Sequence, residues 1–201
     1  MPPSQSAIGI VSAAITRLEA NPMPARLEKP TRELFAKIGP AFPFGQRAAF
    51  ANLWITRPIV MRKLEGNPTT NAMIRTTTAA TIFQAGTKDN VLPSYARAVI
   101  NFRILPGDSV AGVIEYVRRT IDDSRVAVKP VTRFTAEPST VSHTDSESFR
   151  TLERAIRGVV PSAIVAPYLV VVVTDSRHLS DLAENTFRFL PLRLAPTDLP
   201  R

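Results

Sequence analysis

Two groups of residues in this 201-residue chain have the types needed to hold an acid or a polarised carbonyl. The first is Asn90 and Arg103, thirteen positions apart within GTKDNVLPSYARAVINFRILPGD, Gly86 to Asp108. An amide offers a donor and an acceptor, and a guanidinium presents a planar fork that matches a carboxylate. The plainer reading is a turn asparagine and a surface arginine, and residue types alone leave both readings standing. The second group is the TDSRH run, Thr174 to His178. Asp175, His178 and Asp181 stand at i, i+3 and i+6, which on a helix would supply part of a metal site. Zinc needs three or four such ligands in one cluster. The plainer reading makes Asp175 a partner of the positive start of a helix and His178 a surface residue. The other histidine, His143, falls in a stretch without periodicity. There is no cysteine, which excludes disulfides and thiolate metal sites. No serine sits in a G-x-S-x-G turn, and no glycine-rich phosphate loop is present.

The elements that would position these groups follow from hydrophobic spacing. Ile8, Val11, Ile15 and Leu18 share a helical face, with Ser4 or Ser6 as the cap and Asn21-Pro22 as the stop. Between residues 30 and 68, TRELFAKI, QRAAFANLW and IVMRKLEG read as short helices broken by prolines, with Phe50, Leu53 and Trp54 as core anchors. Thr76 to Ala85 reads as a strand from its threonines and β-branched residues, although its alternation is weak. Tyr95 to Ile104 alternates cleanly. Ala96, Ala98, Ile100, Phe102 and Ile104 face one way; Tyr95, Arg97, Asn101 and Arg103 face the other. Ser109 caps a helix with the stripe Val110, Val113, Ile114, Val117 and Ile121, and RVAVKPV reads as a further strand. This order predicts an α+β fold with helices on one face of an antiparallel sheet and a free polar face.

Residues 131–145 read as a linker. After it, Phe149, Leu152, Ile156 and Val159 mark a helix. VAPYLVVVVT reads as a strand buried on both faces, the habit of parallel sheets. Thr174 is placed to cap a helix starting DSRHLSDLAEN, and FRFLPL reads as one more short strand. The formal charge of +8 permits nucleic acid, membrane or acidic partners, but the basic residues are scattered and read as a solvated surface. The longest apolar run is too short to span a membrane. The leading residues lack a basic segment and read as a helix rather than a signal peptide, which leaves a cytoplasmic location by default.

At this point the residues resemble a known family. RTTTAATIFQAGTKDNVLPSYARAVINFRILPGD is similar to the lid domain of the zinc-dependent carboxypeptidase S, Gly-Xaa carboxypeptidase and aminoacylase superfamily, through R-T-T-x-A, G-x-K-x-N-V-x-P and N-x-R-x-x-P-G-D. VAPYLVVVVTDSRHLSDLAENTFRFLPL resembles that family's returning strand, its T-D-x-R-H turn and a short R-F-x-P strand. The resemblance implies a ferredoxin-like lid or dimerisation domain over residues 1–130, with a helical insertion at about 22–70 and no first strand. It further implies an incomplete piece of an α/β catalytic domain over 146–201. Asn90 and Arg103 become contacts for the substrate's carboxylate or amide oxygen, and Thr174, Asp175 and Arg177 lie beside the pocket. If residues 95–103 run straight they span about 26 Å, so Asn90 and Arg103 meet one small group only if the loop between them folds back.

Members of that family use two zinc ions, and a glutamate base, to hydrolyse peptide or N-acyl amino acid amides. The first half of that family, with its H-x-D motif, bridging aspartate and Glu-Glu pair, is not matched by this sequence, nor are its G-G-H-S-S and I-H-G-x-N-E segments. The expectation is therefore a fragment that binds no zinc by itself, has no catalytic residue of its own and is inactive alone. Its partners would be a peptide or N-acyl amino acid, and a second copy or a separate catalytic half. A non-catalytic assembly module is the rival reading. Nucleic-acid binding ranks below both, because Tyr95 is the sole aromatic on the presumed free face and such sheets stack bases on several.

Overall fold

The computed structural model describes residues 3–171, 174–179 and 182–192. The chain divides into two compact units: Met1–Ser139 with Ala166–Val171, and Thr140–Val165 with Val172–Arg201. It is an α+β protein. Its described elements are helices α1 (Ala7–Ala20), α2 (Lys29–Ile38), α3 (Phe44–Ala51), α4 (Leu53–Glu65), α5 (Pro68–Ala72), α6 (Val110–Ile121) and α7 (Glu147–Val159), and strands β1 (Thr77–Ala85) and β2 (Ala96–Arg103).

Helix starts follow the hydroxyl residues. Ser6 Oγ, not Ser4, accepts the Gly9 amide at 3.1 Å, and Ser109 Oγ accepts the Gly112 amide at 3.1 Å. Each satisfies an amide that the first helical turn leaves without a partner. Helices α1 and α6 cover one face of the sheet. Ala14, Leu18, Met23, Val113, Val117 and Ile121 form the buried cluster there, and Ile100, Phe102 and Ile104 of the alternating run pack onto it. The outward residues Tyr95, Arg97, Asn101 and Arg103 are exposed. That apolar-in, polar-out division is the one the spacing predicts.

Strands β1 and β2 form an antiparallel hairpin running from Thr77↔Arg103 to Ala85↔Ala96. Its register shifts between Ala80, opposite Ile100, and Ile82, opposite Val99, so Thr81 is an extra residue. A bulge of this kind turns later side chains to the other face. This explains why Thr76 to Ala85 alternates poorly in the sequence.

Helices α2 to α5 build a second cluster from Phe35, Val60, Leu64, Met73 and Ile74, joined by half-buried Phe42, Phe50 and Leu53. Phe50 stacks on Phe35 with centroids 4.4 Å apart. Phe50 and Leu53 are thus anchors, as expected, but Trp54 is exposed. A tryptophan is usually drawn inside by its area. Here Val60 and Leu64 already occupy the inward face of α4, and Trp54 stands outside that arc.

Several strand readings need correction. RVAVKPV makes no ladder; Val126 and Val128 touch the first cluster, but no described strand pairs with them. The apolar run before Thr174 is irregular over 165–171; Val165 is buried, but 166–171 are partly exposed rather than buried on both faces, and Val172 and Val173 lie outside the described residues. FRFLPL is likewise not a strand, with Phe189, Leu190 and Leu192 exposed. A strand needs a neighbour for its backbone groups, and among the described residues none flanks these runs. Thr174 leads into a 3-10 turn, Asp175–Leu179, instead of an α-helix; Ser180 and Asp181 lie outside the described residues.

Leu18, almost fully buried between α1 and the sheet, is the sensitive position. Leu18→Ala is expected to lower the unfolding free energy by about 2–5 kcal/mol in urea titrations followed by circular dichroism. Val159→Ala, at an exposed α7 position, is expected to change it by less than about 0.5 kcal/mol.

Candidate functional site

The motif residues around the hairpin divide into those that build it and those left facing outward. Thr76, one residue before β1, is buried. Its hydroxyl donates to Asp108 Oδ2 at 2.5 Å and accepts the Leu105 amide at 2.9 Å. The other Asp108 oxygen accepts Arg26 Nη1 at 2.8 Å. Arg26 also donates through Nη2 to the Pro106 carbonyl at 3.1 Å and through Nε to Glu28 at 2.5 Å. Burial alone would disfavour the charge on Arg26. Hydrogen bonds to Glu28 and Asp108 outweigh that, and its pKa lies above the ordinary guanidinium value. Arg75, the arginine of R-T-T, is buried and pairs with Glu65 at 3.2 Å. Gly107 has φ +94°, and a Cβ there would stand 3.2 Å from Arg26 Nη2. The left-handed backbone favours glycine, and an added Cβ would crowd the Arg26 side chain. The R-T-T and P-G-D blocks are therefore scaffold: they lock the entry of β1 to the exit of β2.

Asn90 and Arg103 sit at opposite ends of that hairpin. Asn90 lies in the exposed turn beyond the Ala85↔Ala96 pair, and Arg103 closes the ladder opposite Thr77. The eight residues of β2 separate its two ends by about 23 Å. Arg103 is exposed, and its Nη1 donates to the Val171 carbonyl at 2.6 Å. That bond uses one of five guanidinium donors and orients the rest. Arg103 thus places a cationic group at the polar end of the sheet.

In the second unit, the Thr174 and Ser176 hydroxyls are 2.6 Å apart, and Ser176 Oγ accepts Arg188 Nε at 2.5 Å. This links the TDSRH turn to the RF segment. Ser176 and Arg188 are polar members of the cluster that residue spacing did not single out; they stand twelve positions apart. Asp175 is exposed at the start of the turn, and Arg177 follows on the same turn. His143 lies elsewhere in this unit, where its amide donates to Asn185 Oδ1 at 2.6 Å. Among the described residues no three histidine, cysteine or acidic side chains come together as metal ligands. Asp175 and His178 share one 3-10 turn, while Asp181 is outside the described residues. The described residues do not fit a zinc site.

Removing the aspartate strands two partners at once. Asp108→Ala is expected to cost about 1–3 kcal/mol, from unpaired Arg26 and Thr76. Gly107→Ala is expected to destabilise as well, through its left-handed backbone. Thermal unfolding with calorimetric analysis measures both.

Residues 2–127 match the family described as the peptidase dimerisation domain. The chain is 44% identical over 201 residues to a probable carboxypeptidase S-like 2 of Dictyostelium discoideum, covering 100% of this chain and 38% of that protein. It is 42% identical over 203 residues to an N-fatty-acyl-amino acid synthase/hydrolase of Xenopus tropicalis, and 38% identical over 202 residues to the human protein of that name. Those alignments cover 100% of this chain, and 39% and 40% of the relatives. The chain thus spans about two-fifths of the length of the curated relatives it matches. No solved structure matches it. With well over half of its length matched, the chain belongs to the peptidase dimerisation-domain family.

Proposed function

We propose that this chain is the lid and dimerisation portion of a hydrolase acting on peptide or N-acyl amino acid amides, and that it grips the acid end of the substrate without cutting it. The observation behind this is Arg103: exposed, oriented by one bond to Val171, and set on a polar sheet face with Arg97 and Asn101. A carboxylate received there gains charge-assisted bonds. Asn90, at the far end of the hairpin, serves a different part of the substrate. For the second unit taken by itself, Thr174, Asp175 and Arg177 are the proposed substrate contacts. Zinc and the general base of such an enzyme would come from elsewhere, because the family's Glu-Glu pair and I-H-G-x-N-E segment are not in this sequence. Relatives carrying carboxypeptidase and N-acyl amino acid hydrolase names support the substrate class.

The test is binding and turnover of an N-acyl amino acid by the purified chain with added zinc. The expected result is binding without hydrolysis, weakened roughly tenfold or more in Arg103→Ala, as loss of a charged hydrogen bond implies. Hydrolysis by the chain alone overturns the non-catalytic reading. Unchanged affinity in the variant overturns the role of Arg103.

A second reading, pairing with another copy of the chain, is favoured by β1. Ala79 to Gln84 are exposed, among the described residues β1 is laddered only with β2, and Ile82 and Phe83 are large and apolar. An open edge of this kind recruits another strand. Sedimentation is expected to give a dimer that Ile82→Glu shifts towards monomer; a monomer before substitution would discount this reading.

A further inference from the structure

Helix α4 is apolar on both sides. Its inward face is Val60 and Leu64, packed in the second cluster. At 100° per residue, Trp54, Ile55, Pro58 and Ile59 lie on the outward arc of its first two turns. Trp54 is 82% exposed, Ile59 73% and Ile55 60%, and Phe44 at the start of the neighbouring α3 is 76% exposed. A solvent-facing helix normally carries polar residues there. Four large apolar side chains within sixteen positions exceed the scattered exposure expected of an ordinary surface.

The charges around this patch are of one sign. Between Gly39 and Leu64 stand Arg47, Arg57, Arg62 and Lys63, all exposed, and no aspartate or glutamate. The next acid, Glu65, is held by Arg75. Arg47 lies over the Phe44 ring at 5.7 Å, so cation and apolar surface are interleaved. Arginine and lysine stems can lie along apolar surface with their heads at the phosphate level, and tryptophan favours that same boundary. Nucleic acid suits the charge but not the side chains, because one tryptophan among isoleucines is no platform for stacking bases.

We propose that the outward face of α3 and α4 docks on an anionic lipid surface, with Trp54, Ile55, Ile59 and Phe44 entering the headgroup boundary and Arg47, Arg62 and Lys63 meeting lipid phosphates. The helix lies in the plane of the interface rather than across it; no described helix is long and apolar enough to cross a membrane. The patch belongs to the helical part of the first unit and needs neither Arg103 nor any catalytic chemistry. Docking and substrate binding therefore succeed or fail separately.

Trp54 is the chain's one tryptophan, so its emission reports on this patch alone. The 201-residue chain is titrated with phosphatidylcholine vesicles containing about one-quarter phosphatidylserine, and with pure phosphatidylcholine vesicles. A blue shift is expected with the anionic vesicles and is expected to fade as salt is raised. The double variant Arg62→Gln, Lys63→Gln is expected to lower partition roughly tenfold or more. The double variant Ile55→Ser, Ile59→Ser is expected to abolish the shift while keeping the far-ultraviolet circular dichroism of the parent. Emission unchanged by lipid overturns the proposal, as does equal binding to the neutral vesicles. A shift that follows protein concentration without lipid assigns the patch to a second copy and also overturns it.

Discussion

The hairpin depends on one half-buried ion pair, Arg26 with Asp108, and on the Thr76 hydroxyl that shares the aspartate. Arg26 comes from the segment between α1 and α2, Thr76 from the entry to β1, and Asp108 from the turn after β2. Three distant parts of the chain are thereby tied at one point. The Arg26 amide also donates to the Ile74 carbonyl at 2.6 Å, so backbone and side chain hold the same junction. A charge taken partly out of water is tolerable only when its partners are complete. Here both aspartate oxygens and three guanidinium nitrogens are engaged.

That junction joins two apolar clusters with different jobs. The first, under α1 and α6, holds the inward face of β2 and so turns Arg97, Asn101 and Arg103 outward. The second, among α2 to α5, supports a helical hairpin whose outer surface is both apolar and basic. Substrate gripping and surface docking would then use opposite kinds of exposure. One is a polar face left bare by a half-packed sheet; the other is an apolar face left bare by a helix packed on its other side.

The sheet's alternation, the hydroxyl caps and the α6 stripe were legible because each is a local pattern with one physical solution. Strands inferred from apolar runs alone were not. Residues 125–131 and 165–171 have suitable side chains, yet strand formation depends on a neighbour elsewhere in the chain. Trp54 was misread for a related reason: its size argues for burial, while its angular position on α4 argues against it. For the candidate site, Asn90 and Arg103 were recognisable as chemistry, but Ser176 and Arg188 were not, since only folding brings them within 2.5 Å.

By itself the sequence determined residue chemistry and short-range geometry: which face of β2 is apolar, where helices begin, that thiolate ligands are excluded, and which motif blocks occur in order. Tertiary structure alone decided that the R-T-T and P-G-D blocks form a clamp, that Arg103 is oriented by Val171, and that α4 shows an apolar face outward. The reason is range. Periodicity and capping act over a few residues, whereas a hydrogen bond between positions 26 and 108 exists only after the chain has closed on itself.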